Sequence, residues 1–369
     1  MNPIFKPNDH IRGLDSIRFI CAFWVFFGHG AAPVFSNPFA EGSLANLAFR
    51  GVLGNIWPGP AAVIVFFVIS GFCIHYPFAG SDKRPRLKEF YTRRFIRLLV
   101  PVSVAIPLSE LIGVHLTLFQ QSILWSLTAE LIYYILYPLL RNIHLRFGSW
   151  YGIVTVAFVV GFAVAATDPS AGNYPSYGIG LNWLLGLPCW LLGCMIAERV
   201  KTAPPPQCST STIWIWRMSI LGVACACSVL RFHSPFGYPW TLNLFAIMVA
   251  VWLLREIAFR QHNPPSAFFE WAGSWSYSLY LIHVPASALF SAHFSSERGF
   301  SFSWALMVFF VFFSCYVFYL LIESPSHMLA RRTAKKFRPP MRASEEYSLQ
   351  LDTNTTISKE NQHDLHSRH

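Results

Sequence analysis

Charge is scarce along this chain. Aspartate, glutamate, lysine and arginine make up only 12% of its 369 residues, about half the share of an ordinary soluble domain. That shortage excludes a water-soluble fold in which one apolar core is wrapped in a charged surface. Acid is the scarcer sign, 18 residues against 28 basic ones, and the formal net charge is +10. No Cys-x-x-Cys pair occurs among the eight cysteines. Most of them stand inside apolar stretches, so they read as small buried hydrophobes rather than a disulfide or zinc framework. Also lacking are a G-x-x-x-x-G-K-[ST] phosphate loop, a G-x-G-x-x-G turn, an H-E-x-x-H zinc motif and a G-x-S-x-G nucleophile elbow. ATP-driven transport, dinucleotide chemistry and zinc proteolysis therefore have no motif behind them, and no metal is expected.

Apolar residues are abundant instead, at 54% of the chain. They gather into runs near the 20 residues that cross a bilayer core as a helix. Ten spans can be drawn, at 14–33, 58–78, 95–114, 121–140, 150–167, 179–198, 213–232, 240–258, 272–293 and 301–322. The runs are continuous, without the period-two alternation of barrel strands, so the expected fold is all-α, a polytopic bundle of about ten transmembrane helices. With the N-terminus placed in the cytoplasm, 24 lysines and arginines fall on the cytoplasmic side and only Arg50, Arg231 and Arg298 outside, with Arg18 inside the first span. That asymmetry puts both termini in the cytoplasm. It accounts for the basic charge as a topology signal rather than as nucleic-acid binding. A cleavable signal peptide is the rival reading of the first span, and the charge bias opposes it. The membrane unit is expected over 1–325, followed by a polar, disordered cytoplasmic tail over 326–369, whose basic start suits anionic headgroups. The stretch 202–212 reads as a short connector and 34–57 as the longest outer loop.

Ionisable groups inside such spans need a reason. In "DSIRFICAFWVFFGHG", nine of the ten residues between Arg18 and His29 are apolar. Eleven helical steps return to within about 20° of the start, about 16 Å along the axis, so the two polar groups share a face. His29 is either a packing histidine or a general base able to take a proton from a hydroxyl, and Asp15 can pair with Arg18 three residues on. In "EFYTRRFIRLLVP", Arg93, Arg94 and Arg97 stand at helical spacing, either as an interfacial anchor or as a multidentate phosphate site. Lys83, Arg84, Arg86 and Lys88 precede them. Glu130 lies mid-span in "LWSLTAELIYYILYPLL" and must be protonated, paired or hydrated. His75, His283 and Glu323 stand near span ends and read as mainly structural. Ser70, beside Gly71 in "FFVISGF", reads first as a small residue for close helix contact and second as a nucleophile.

Six pieces, "GLDSIRFICAFWVFFGH", "AAVIVFFVISGF", "RRFIRLLVP", "LWSLTAE", "SYSLYLIHVP" and "ESP", occur in this order between residues 13 and 325. Together they resemble the acyltransferase-3 family of integral-membrane acyltransferases. The resemblance implies a ten-helix bundle with both ends cytoplasmic, in a bacterial cytoplasmic (inner) membrane. It implies transfer of an acyl group, usually acetyl, from cytoplasmic acyl-CoA to a hydroxyl of a carbohydrate such as exopolysaccharide, lipopolysaccharide or an oligosaccharide. His29 and Glu130 become the expected catalytic residues, with Glu130 orienting His29. Arg18, Arg93, Arg94 and Arg97 become the expected donor-binding residues. Ser16, Ile64, Leu131 and Ile132 depart from the family pattern, and these departures bear on acceptor preference more than on acyl transfer. The alternative from another class is a transporter or flippase for a small solute or lipid-linked sugar, with His29, Glu130 and Arg18 as a proton relay.

Overall fold

Away from water, a backbone must satisfy its own N–H and C=O groups, and a helix does so within one segment. The computed structural model describes residues 11–33, 37–116, 123–203, 206–294 and 302–337, and among them there is no strand. The helices are α1 (Leu14–Phe26), α2 (Leu44–Asn55), α3 (Gly59–His75), α4 (Leu87–Leu111), α5 (Trp125–Phe147), α6 (Trp150–Ala165) and α7 (Gly178–Thr202). They continue with α8 (Thr210–His233), α9 (Tyr238–His262), α10 (Ala267–Gly273), α11 (Ser276–His293), α12 (Phe302–Phe318) and α13 (Ser324–Lys335).

Each of the ten expected spans is overlain by one of these helices. Five stretches are long and apolar enough to cross a membrane by length and composition: Leu44–Phe78, Tyr174–Thr202, Thr210–His233, Tyr238–His262 and Phe302–Lys335. The chain is thus an all-helical, multi-pass membrane protein. Other expected spans carry interruptions with a physical cause. A π-helical turn, Phe27–Ala31, follows α1, and α4 opens with Lys88, Glu89, Arg93, Arg94 and Arg97.

Two features of the connecting segments differ from the sequence reading. The outer loop contains α2, started by the Ser43 hydroxyl, which accepts from Asn46 N at 3.1 Å, and tied to α8 where Ser228 Oγ donates to Asn55 Oδ1 at 2.6 Å. Beyond residue 325, α13 continues to Lys335 and packs along α4 through the small buried residues Ser326, Ala330 and Ala334. The remainder of the tail expected over 326–369, from residue 338 on, lies outside the described residues.

The centre of the bundle is the crossing of α3 and α7. Gly71 and Gly193 make it possible. A methyl group on Gly193 would sit 2.0 Å from the Val68 carbonyl oxygen, and one on Gly71 would sit 1.9 Å from that of Trp190. Small residues at a helix contact let two backbones meet. At one end of this pair, Arg141 is 1% exposed. Its Nη1 lies 3.2 Å from Glu198 Oε1 on α7. Its Nη2 donates to the carbonyls of Phe78, at 3.0 Å, and Ser81. Glu198 also accepts from Gly80 N at 2.7 Å and contacts His75 Nε2 at 2.8 Å. These contacts pin the α3–α4 loop that leads into the basic segment.

The crossing predicts a sharp difference between glycines. Gly193→Ala should destabilise the protein by about 1–3 kcal/mol through overpacking, read as a lower unfolding midpoint in detergent. Gly222→Ala on α8, where an added methyl meets nothing within 4 Å, should not lower it. An unchanged midpoint for Gly193→Ala would contradict the close approach.

Candidate active site

A cavity opens between α1, α3, α4, α5 and α11. Arg18, Arg94, Arg97 and Glu130 line it, with the hydroxyls of Ser70, Ser126, Tyr134, Ser276, Tyr277 and Tyr280. Three guanidiniums from two helices therefore converge on one polar space inside an apolar bundle. Arg18 Nη1 lies 3.4 Å from Asp15 Oδ1, one turn back on α1. Arg94 Nε is buried and has no hydrogen-bond partner among the described residues. A buried, unpaired donor on a cation is costly unless an anion meets it. Arg93, whose Nε is likewise buried without a hydrogen-bond partner among the described residues, differs in its terminal nitrogens and its position. It donates to Glu89 Oε1 at 3.0 Å and does not line the cavity. Arg97 lies between Arg93 and Arg94 in helical angle, and of these two neighbours it is Arg94 that lines the cavity with it.

Glu130 stands in the middle of this cavity. Its Oε1 accepts from Ser70 Oγ and from Tyr134 Oη, the latter at 2.6 Å. Trp190 Nε1 donates to Ser70 Oγ at 3.2 Å, which leaves the serine proton free to point at the carboxylate. Of the adjacent pair in "ISGF", Gly71 makes the close helix contact and Ser70 holds Glu130.

His29 lies elsewhere. The regular helix ends at Phe26, and His29 occupies the π turn with φ −92° and ψ 28°. Gly30 follows at φ 88°, a left-handed conformation that an L side chain adopts only under strain. The residue is exposed, at the end of its helix rather than deep within it. Its Nδ1 lies 2.7 Å from Val25 O and 3.3 Å from His283 Nε2. Aromatic rings surround the turn: Phe27 stacks on Trp57 with centroids 4.7 Å apart, and Trp304 Nε1 donates to Ala31 O at 3.0 Å.

The structure does not bring Glu130 to His29. Gly28 packs at the level of Gly59, where an added methyl would meet Gly59 N at 3.4 Å. Ser70 lies eleven residues further along α3, about 16 Å away at 1.5 Å per residue. Glu130 and His29 thus stand as two separate groups, and the residues that line the cavity include Glu130 but not His29 or His283. The cavity follows α3 from Ile74 to Val63, again about 16 Å, and Tyr280 stands at its far end. The Tyr280 hydroxyl donates to Ile123 O at 2.5 Å and lies 2.8 Å from Ser126 Oγ. Its ring is 6.3 Å from that of His283, which is 5.1 Å from that of His29.

The sequence alone reads His283 as mainly structural and does not single out Tyr280. His283 is 1% exposed and in the interior of α11, not at a span end. Its signal was spacing: Tyr277, Tyr280 and His283 recur every third residue on an apolar helix, which keeps polar groups on one side. The structural reading of His75 holds, since it joins Tyr137 and Glu198 away from the cavity. Glu323 is buried, accepting from Ser278 N at 3.0 Å and Ser278 Oγ at 2.5 Å. Among the described residues no His, Cys, Asp and Glu side chains group as metal ligands.

Residues 11–323 match the family model Acyl_transf_3, described as an acyltransferase domain. No curated protein and no solved structure matches the chain.

Cys73 is exposed and lines the cavity, which makes the site testable without knowing its ligand. In a variant retaining Cys73 as its single cysteine, a small anionic thiosulfonate should label the thiol, and Arg97→Ala should slow labelling about tenfold by removing an attracting charge. Failure to label Cys73 in the folded protein would contradict an accessible polar cavity.

Proposed function

The chain belongs to the acyltransferase-3 family of membrane acyltransferases, and from that premise we propose that it moves an acyl group, acetyl in the first instance, from acyl-CoA to a hydroxyl of a cell-surface or secreted carbohydrate. One observation carries this reading. A polar cavity with three arginines at one end runs beside α3 to Tyr280, next to the His283–His29 pair. Acyl-CoA has the matching shape and charge: a polyanionic nucleotide, a long thin pantetheine arm and a thioester at its tip. Family membership also favours acyl transfer over the transporter or flippase alternative.

The arginine end belongs in the cytoplasm on this reading, in a bacterial inner membrane, as the lysine and arginine asymmetry expects. Lys83, Arg84 and Arg86, on a loop that Arg141 and Glu198 hold in place, meet the nucleotide phosphates together with Lys88 at the start of α4. Arg94 and Arg97 receive the phosphate nearest the arm. Glu130, Ser70 and Tyr134 then line the middle of the path, where the two pantetheine amides need hydrogen-bond partners in an otherwise apolar bundle. This gives Glu130 a donor-binding task in place of catalysis.

Chemistry takes place at His29. Its Nε2 removes the proton from a sugar hydroxyl as that oxygen attacks the thioester carbonyl. The tetrahedral intermediate collapses by breaking the C–S bond. The departing CoA sulfur takes the proton back from Nε2, leaving an O-acyl sugar, CoA and neutral His29. The half-buried aromatic side chains of Trp57 and Trp304 beside this turn suit the C–H face of a sugar ring.

His29→Ala should abolish glycan acylation while the protein remains in the membrane at its normal level. Proton NMR of surface glycans, from a deletion strain complemented with wild type or His29→Ala, reads the acyl signals directly. Undiminished acylation with His29→Ala would defeat the assignment.

A further inference from the structure

A neutral imidazole has one nitrogen that donates and one that accepts, so each ring's partners determine its tautomer. His283 Nδ1 lies 3.0 Å from the carbonyl oxygen of Leu279, one turn back on α11. A carbonyl only accepts, so the His283 proton is on Nδ1 and its Nε2 is an acceptor. That acceptor is directed at His29 Nδ1, 3.3 Å away, and Val25 O is a second acceptor for the same nitrogen at 2.7 Å. With acceptors alone around it, His29 Nδ1 must carry the proton, and the ring's lone pair is left on Nε2.

We propose that His283 is the positioning residue of His29: its Nε2 shares the His29 Nδ1–H with the Val25 carbonyl and so holds the His29 lone pair on Nε2, ready for the acceptor hydroxyl. The proposal rests on the reading of His29 as the base. His283 itself touches no reacting atom. It is 1% exposed, and its ring meets that of Phe26 edge to face at 6.2 Å and 86°, so it has little room to turn. When His29 gains a proton in the transition state, its Nδ1–H becomes a stronger donor, and both acceptors then stabilise it more than in the resting enzyme. Hydrolytic enzymes often give this task to a carboxylate. A histidine does it here without adding a fixed buried charge among membrane helices.

The test uses the full chain in nanodiscs, acetyl-CoA as donor and base-deacylated glycan from the producing strain as acceptor. His283→Leu should lower kcat about 10- to 100-fold with KM for acetyl-CoA within about twofold. The Val25 carbonyl still favours the right tautomer, so the loss stays below the roughly 10⁴-fold seen when a triad's orienting carboxylate is replaced. His283→Gln can present Oε1 to His29 Nδ1 and should recover most of the lost kcat. Should His283→Leu fail to fold, His283→Phe fills the space without an acceptor and takes its place. Wild-type kcat in the Leu or Phe variant, with His29→Ala inactive, would overturn the positioning role and leave the base intact. A Gln variant no better than Leu would overturn it equally. Full activity in His29→Ala would instead overturn the reading on which it rests.

Discussion

A guanidinium among membrane helices is tolerated only where water, a counter-charge or a ligand meets it, and this bundle gathers three such groups. Arg18, Arg94 and Arg97 share one cavity. Asp15 offsets Arg18 at 3.4 Å, whereas buried Arg94 Nε has no partner among the described residues. The rest of the site depends on that imbalance. On the proposed reading an anion meets the arginine end, and the polar groups among the lining continue past Glu130 and Ser126 to Tyr280.

Two kinds of rigidity keep that path in register. The α3–α7 crossing is backbone against backbone at Gly71 and Gly193, so Ser70 and Trp190 face each other at a set height, and Ser70 in turn orients Glu130. At the arginine end, buried Arg141 pairs with half-buried Glu198, and the two also hold backbone groups of residues 78–81, with Glu198 contacting His75 as well. Buried pairs of this kind are weak evidence for stability, because desolvation opposes their attraction. Their visible consequence here is geometric: the loop entering the basic segment is held against α5 and α7.

Hydropathy and charge made the helices legible, since every expected span has a helix over it. The six ordered motif pieces made the family legible as well, and the cavity gathers Arg18, Arg94, Arg97 and Glu130 from three of those pieces. What escaped was whatever depends on a departure from regular geometry or on contacts between distant segments. Face-sharing of Arg18 and His29 assumed an unbroken helix, but His29 sits in a π turn, Phe27–Ala31, between Gly28 and Gly30. Arg141 counted only as one of the cytoplasmic-side charges, and its burial depends on a partner, Glu198, 57 residues away. Arg93 and Arg94 are neighbours in sequence yet face different surroundings. His283 looked peripheral by position, and only folding brings α11 against the end of α1.

The central claim is that one continuous path joins the arginines to His29, with the donor's reactive end delivered past Tyr280. A cryo-EM structure with a non-hydrolysable acyl-CoA analogue tests it most directly. The account predicts the nucleotide phosphates at Arg94 and Arg97 and the acyl carbonyl carbon about 3–4 Å from His29 Nε2, with the Tyr280 ring displaced from its place beside His283. An analogue whose acyl end stops at Glu130, with Tyr280 still standing between it and His29, would contradict it.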